Sequence, residues 1–295
     1  MMPPAIMAVV SVPAVFLSAA SMYSVNGADT APELKHVLHL SNRILCGSEP
    51  RGPSAFETLK KLEVKTIVSV DGAAPQLSLA KAADLRYVHI PVGYDGISSE
   101  AGHSLTRVVR ETEGRIYIHC HHGQHRGPAA AAIACQVERT ADRQRALQIM
   151  LRAGTSREYA GLYRDVSEFV VPDKRAQLPP LVEVAQLESF TITMSRVSRR
   201  LEALKESTAA ELSSTAARDC QSSARDALLL HEALHEAVRN LSSEHDRSFR
   251  IRLIQSGAAA KAVYESLQSG VDEAVRPQIQ VLQRTCTQCH KVYRD

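Results

Sequence analysis

An apolar run, Arg115-Ile-Tyr-Ile-His119, ends in Cys120 and is followed by His121-His122-Gly123-Gln124-His125-Arg126 and then by an alanine-rich stretch. That order restricts the fold more than anything else in the chain. The short apolar run reads as a strand, and the stretch over 128–139, opened by Pro128, reads as a helix. A strand, a seven-residue loop from Cys120 to Arg126 and a helix together form a cradle for a tetrahedral oxyanion. Loop amides and the helix N-terminus point at the anion, and the arginine fork takes two of its oxygens. The same field activates Cys120 as a nucleophile. His121, His122 and His125 add imidazoles that suit a phosphoryl group. A metal centre is the weaker reading, because such a loop aims its amides inward and its side chains mostly outward.

The alternation continues on both sides of the loop. Strands are expected over 36–40, 43–46, 66–70, 86–91 and 115–119, with helices over 53–62, 77–83, 99–112 and 128–139 and more as far as 170. Strands separated by helices imply an α/β domain with a mainly parallel sheet, and the anion loop then falls at the C-terminal end of a strand, where such sheets bind ligands. Pro172, Pro179 and Pro180 interrupt the pattern, so 172–180 reads as a linker. Between 181 and 295 the breakers are Gly257, Gly270 and Pro277, and apolar residues recur at helical spacing, which fits an all-α four-helix bundle. Trp is absent and aromatics make up 4%, so the cores must be Leu, Val, Ile and Ala. A net charge of +3 without a basic stripe offers nothing to nucleic acid.

A second motif, Cys286-Thr-Gln-Cys289-His290, stands close to the C-terminus. Two thiols at this spacing can form thioethers to one porphyrin, and the adjacent imidazole reaches its iron. The cofactor expected is one covalent haem c, with His290 as proximal ligand. No second ligand pair nearby suits a zinc site. The first 34 residues lack Lys and Arg, and the apolar run over 5–20 is followed by small and polar residues, so 1–28 is read as a cleaved leader. Export to the periplasm agrees with the haem motif. Of the six cysteines, Cys46, Cys135 and Cys220 remain once the haem pair and Cys120 are assigned, an odd number that argues against a disulfide framework.

Residues 32–171 resemble the cysteine-dependent dual-specificity and tyrosine phosphatases. The resemblance rests on the His-Cys-x5-Arg loop, the segment Leu40-Ser-Asn-Arg-Ile-Leu-Cys-Gly-Ser-Glu-Pro50, the stretch 56–65 and Thr66-Ile-Val-Ser-Val-Asp71. It implies that Cys120 attacks phosphorus and that Arg126 stabilises the equatorial oxygens. Asp95, in Pro91-Val-Gly-Tyr-Asp95-Gly-Ile, or Asp71 in its stead, protonates the leaving alcohol. Gly127 departs from the pattern, because the family usually has Ser or Thr there to help the thiolate leave. Residues 181–295 resemble cytochrome c prime, whose haem motif lies on the last helix of a bundle. That resemblance places Arg294 on the proximal side and Leu187, Phe190 and Met194 on a first helix as distal candidates. Met would give an electron carrier, whereas Leu or Phe would leave a position for NO or CO. It also implies a homodimer through the bundle.

The expected function is thus Cys-based hydrolysis of a phosphorylated substrate, linked to a haem domain for redox or gas binding. The alternative is an inactive oxyanion- or phosphoprotein-binding module attached to an electron-transfer or NO-scavenging cytochrome.

Overall fold

The computed structural model describes residues 34–187, 190–213, 221–241, 245–270 and 272–293. The expected leader, Cys220 and Arg294 lie outside the described residues. All five expected strands form: β1 (Leu38–His39), β2 (Ile44–Ser48), β3 (Val64–Ser69), β4 (Arg86–His89) and β5 (Arg115–Cys120). They make one sheet in the order β1-β2-β5-β3-β4, with β1 antiparallel and the rest parallel. β5 is therefore central, and its alternation sends Ile116 and Ile118 to one face and Tyr117 to the other. Helices α1 (Gly52–Lys61) and α2 (Leu77–Ala82) cover the Tyr117 face through Phe56, Leu59 and Ala80. The other face carries α3 (Ser99–Glu111), α4 (Arg126–Glu138), α5 (Arg143–Arg152) and α6 (Ala160–Glu168).

Caps mark two of these helices. The Ser98 hydroxyl accepts the Ala101 N–H at the start of α3, and the Asp142 carboxylate accepts the Arg145 N–H at the start of α5. α4 begins at Arg126, two residues before the expected start, so the arginine of the loop is also the first residue of the helix. Ala129, Ala130, Ala131, Ala132 and Ala134 are all fully buried, because α4 is enclosed by the sheet, α3, α5 and α6. Alanine is what lets four neighbours approach one helix.

The segment 172–180 is no free tether. Arg110 donates to the carbonyls of Pro172 and Asp173, and Arg107 to those of Leu178 and Pro179, which straps the segment along α3. Beyond it, His89 N–H donates to the Val182 carbonyl and the Ala185 N–H donates to His89 Nδ1. The chain from 181 to 187 thus runs on the α/β half, and the first helix of the C-terminal half starts only at Phe190. Leu187 is corrected accordingly: it precedes the helix and lines a cleft between the two halves.

Four helices follow, α7 (Phe190–Ser213), α8 (Gln221–Arg239), α9 (Arg247–Gln268) and α10 (Asp272–Tyr293). α7 packs on α8, α8 on α9 and α9 on α10. Leu204, Leu230, Leu234, Leu253, Val263, Val275 and Leu282 meet in one apolar core drawn from all four. No helix among the described residues is long and apolar enough to cross a membrane.

The enclosure of α4 gives a direct expectation. Ala131→Leu should destabilise the protein by about 1–3 kcal/mol, since the added carbons have no space to enter. Urea unfolding would register this as a lower midpoint with an unchanged slope.

Candidate active site

Three strand ends build the site. Because β2, β5 and β3 are parallel neighbours, Ser48 lies opposite Cys120 and Ser69 opposite His119, so residues just past each strand converge on Cys120. These include Glu49 after β2 and Asp71 after β3. The loop then turns from β5 into α4. Gly123 has φ +77°, and a Cβ on it would lie 2.4 Å from backbone atoms of Gly47 and Ser48, so only glycine fits. Thr155 Oγ1 donates to the Gln124 carbonyl and fixes the far side of the loop.

Arg126 is 1% exposed and lies at the N-terminal end of α4. Its Nη2 donates to Asp71 Oδ1 at 3.1 Å and to the Tyr94 hydroxyl at 3.2 Å. Its Nη1 donates to the Val92 carbonyl at 3.2 Å and to both oxygens of Glu236 at 2.9 and 3.2 Å. The guanidinium also sits over the Tyr94 ring, 4.0 Å from its centroid. Its buried Nε has no partner. An orphaned, buried, charged donor in an anion loop is the feature that a bound oxyanion would satisfy.

Asp71, the alternative proton donor, is held twice. Besides Arg126 it accepts from Arg239 at 2.8 Å on each oxygen. Burial would raise its pKa, but the Arg239 hydrogen bonds and the two guanidinium charges win and hold it low. Asp95 is placed differently. Its side chain is 52% exposed and pairs with Arg200 of α7 at 2.9 Å. It borders the cleft of about 390 Å³ lined also by Gly72, Tyr94, Leu187, Arg196 and Glu232.

The loop imidazoles diverge. His121 Nδ1 meets Glu49 Oε2 at 3.2 Å, and His121 and His122 lie edge to face. His125 turns toward Tyr159 instead, with ring centroids 4.5 Å apart. Glu49, Asp71 and His121 do approach within 4.8 Å of one another, in the pattern of metal ligands. The two guanidiniums on Asp71 already supply the positive charge a cation would bring. Gly127 packs on Cys120: a Cβ there would be 3.1 Å from the Cys120 backbone nitrogen and 3.5 Å from its Sγ.

Four residues of the C-terminal half complete this arrangement without having been expected there: Glu232, His235, Glu236 and Arg239. Their spacing on one face of α8 was readable as an i, i+3, i+4, i+7 polar stripe. Nothing in the sequence says what that stripe covers.

Cys286 and Cys289 lie on α10, one turn apart; Cys286 packs against the helical core and Cys289 is buried. His290 is exposed. At 100° per residue, the three span a common arc of the helix. Phe190 and Met194 pack against the same core. Phe190 stands edge-on to Phe249, which in turn stacks near Tyr293 of α10, with centroids 5.5 and 4.8 Å apart. An aromatic end therefore surrounds the motif.

No model of a known family matches the chain. The dual specificity protein phosphatase TpbA of Pseudomonas aeruginosa is 33% identical over 114 residues, which are 38% of this chain. The match spans about half, 51%, of that curated relative's length. The crystal structure of P. aeruginosa TpbA superposes with a TM-score of 0.39 at 22% identity, covering 48% of this chain and 93% of that one. The core catalytic domain of the PP-IP phosphatase SIW14 from S. cerevisiae gives 0.40 at 19% identity, covering 46% and 86%. The N-terminal half is a phosphatase-like domain, and a helical region follows it.

Burial makes the site sensitive to acid. Desolvation pushes His119 and His125 each down to about 4, so both are neutral in the folded protein. Unfolded histidines titrate near about 6.5, so the unfolded chain takes up protons first as pH falls. Stability should hold above that value and decline from there to pH 4, by up to about 1.4 kcal/mol per pH unit for each histidine. Urea midpoints at pH 7 and pH 5 measure the decline, and His119→Asn should flatten it.

Proposed function

We propose that the chain is a cysteine-dependent phosphatase joined to a c-type haem domain. The observation that carries the first part is the buried Arg126, whose Nε lacks a partner at the head of a loop that starts from Cys120. Cys120 Sγ attacks phosphorus, forming the S–P bond as the P–O bond to the leaving alcohol breaks. Arg126 and the loop amides hold the equatorial oxygens, where charge accumulates. The leaving oxygen takes a proton from Asp95, whose loop borders the cleft. Water then cleaves the S–P bond and returns the thiolate and phosphate. The substrate is a phosphoester, and TpbA's description as a dual specificity phosphatase supports that class.

Gly127 favours a second reading, in which the loop binds an oxyanion or phosphoprotein without turnover. With a shift of a few tenths of an ångström away from the Cys120 backbone nitrogen, 3.1 Å from the Cβ position, a serine there would set its hydroxyl beside Cys120 Sγ, 3.5 Å from that position. That is the group whose absence slows thiolate departure.

For the helical half, we infer a covalent haem on Cys286 and Cys289 with His290 toward the iron, in a bundle like that of cytochrome c prime. The fit rests on the two thiols one turn apart on α10, Cys286 packed against the helical core and Cys289 buried, and on the aromatic cluster of Phe190, Phe249 and Tyr293. Bound there, the group would supply redox or NO and CO binding. Phe190 and Met194 remain the distal residues of the proposal. A haem of this type fits an exported, periplasmic protein and a redox partner or a homodimer.

Two measurements test these readings. Purified full-length protein should turn over an aryl phosphate many times, and Cys120→Ser should abolish it; a single burst of product would favour the binding module. Gly127→Ser should raise the steady rate relative to the burst. Separately, protein expressed with haem-maturation machinery should keep haem absorbance after denaturation, and Cys286→Ala with Cys289→Ala should lose it.

A further inference from the structure

The helical half does more than adjoin the anion loop. α8 lays a continuous polar face on it, at the spacing that places residues on one side of a helix. The Tyr159 hydroxyl donates to Glu232 at 2.7 Å. His235 sits against the rings of His121 and His122, with centroids 5.8 and 6.4 Å away. Glu236 takes Arg126, and Arg239 takes Asp71. Just past the helix, Asn240 Nδ2 donates to the Gly72 carbonyl at 3.0 Å. Below this face, Leu228 and Leu229 join the core of the α/β half, while Leu230 and Leu234 on the opposite side join the helical core. α8 is thus built into both halves.

Its effect on Arg126 decides what the contact does. A guanidinium has five N–H donors. Here four are engaged: by the Val92 carbonyl, Glu236, Asp71 and the Tyr94 hydroxyl, leaving Nε. Nη1 can reach a phosphoryl oxygen only if Glu236 or the Val92 carbonyl lets go of it, since these two take both of its N–H groups. Asp71 is anchored by Arg239 as well, and Val92 and Tyr94 belong to the same domain. Glu236 is the one partner that arrives on a separate element. Both of its oxygens lie within hydrogen-bond distance of Nη1, a nitrogen that a phosphoryl oxygen would otherwise reach. Asp71 and Glu236 together place two carboxylates where a dianion must enter.

We propose that Glu236 is a built-in competitor of the substrate: its carboxylate holds the place of phosphoryl oxygens on Arg126, and phosphate binding requires α8 to withdraw it. The inference rests on reading residues 120–126 as a phosphoryl site. Gly72 supplies an independent handle. A Cβ on Gly72 would lie 2.2 Å from Glu236 Oε1, so Gly72→Ala pushes the carboxylate aside while leaving Glu236, Arg126 and Cys120 intact.

The test is binding of inorganic phosphate to full-length Cys120→Ser protein by calorimetry, free of turnover. Adding Glu236→Ala should tighten phosphate by about tenfold or more, with Glu236→Gln and Gly72→Ala giving gains in the same direction. In protein that keeps Cys120, the same substitutions should raise kcat/KM for an aryl phosphate. Unchanged or weaker phosphate binding in folded Glu236→Ala and Gly72→Ala protein overturns the proposal, and makes Glu236 a residue that positions Arg126. Phosphate binding that is absent from every variant overturns the phosphoryl-site reading itself, and the competitor with it.

Discussion

A buried guanidinium organises this molecule. Arg126 is 1% exposed, and a charge removed from water must be matched by partners or it destabilises the fold by several kcal/mol. Burial alone would weaken the charged form, and Glu236, Tyr94 and Asp71 outweigh it. Each partner comes from a different place: Asp71 from the end of β3, Tyr94 and Val92 from the loop after β4, Glu236 from α8. Satisfying one side chain therefore ties the sheet, the turn bridged by Gly93 and Gly96, and the helical half into one arrangement.

The consequences spread outward by the same logic. Asp71 can stay ionised in a buried place because Arg239 adds a bidentate pair of hydrogen bonds to the single one from Arg126. Glu236, pushed toward its neutral form by burial and by the nearby Asp71, is held back by Arg126. The two carboxyls and two guanidiniums make a small closed network, of which Glu236 lines the cleft. Its members belong to both halves, so the electrostatics of the anion loop are set partly by residues more than a hundred positions away in the sequence.

The parallel sheet makes the convergence possible. Parallel strands end on one edge of the sheet, so Glu49, Asp71 and His121 meet although they are far apart in sequence. The alanine run of α4 serves the same end. It lets the helix sit deep enough that its first residue, Arg126, is buried at the helix N-terminus.

Much of this was legible beforehand. Strand and helix periodicity located all five strands and the main helices, and the Cys120 to Arg126 spacing identified the loop, because local sequence dictates local backbone. The start of α4, the strapped course of 172–180 and the place of Leu187 ahead of α7 were not legible, since each depends on an arginine or a packing partner distant in the chain. The placement of Asp95 on Arg200 and of α8 over the loop belongs to the same class. By itself the sequence determined the strand, loop and helix around Cys120 and Arg126 and the helical spacing of the C-terminal half. Only the tertiary structure decided that a glutamate from the second half lies on the cradle's arginine, because side chains on an amphipathic helix declare their polarity but not the surface they will meet.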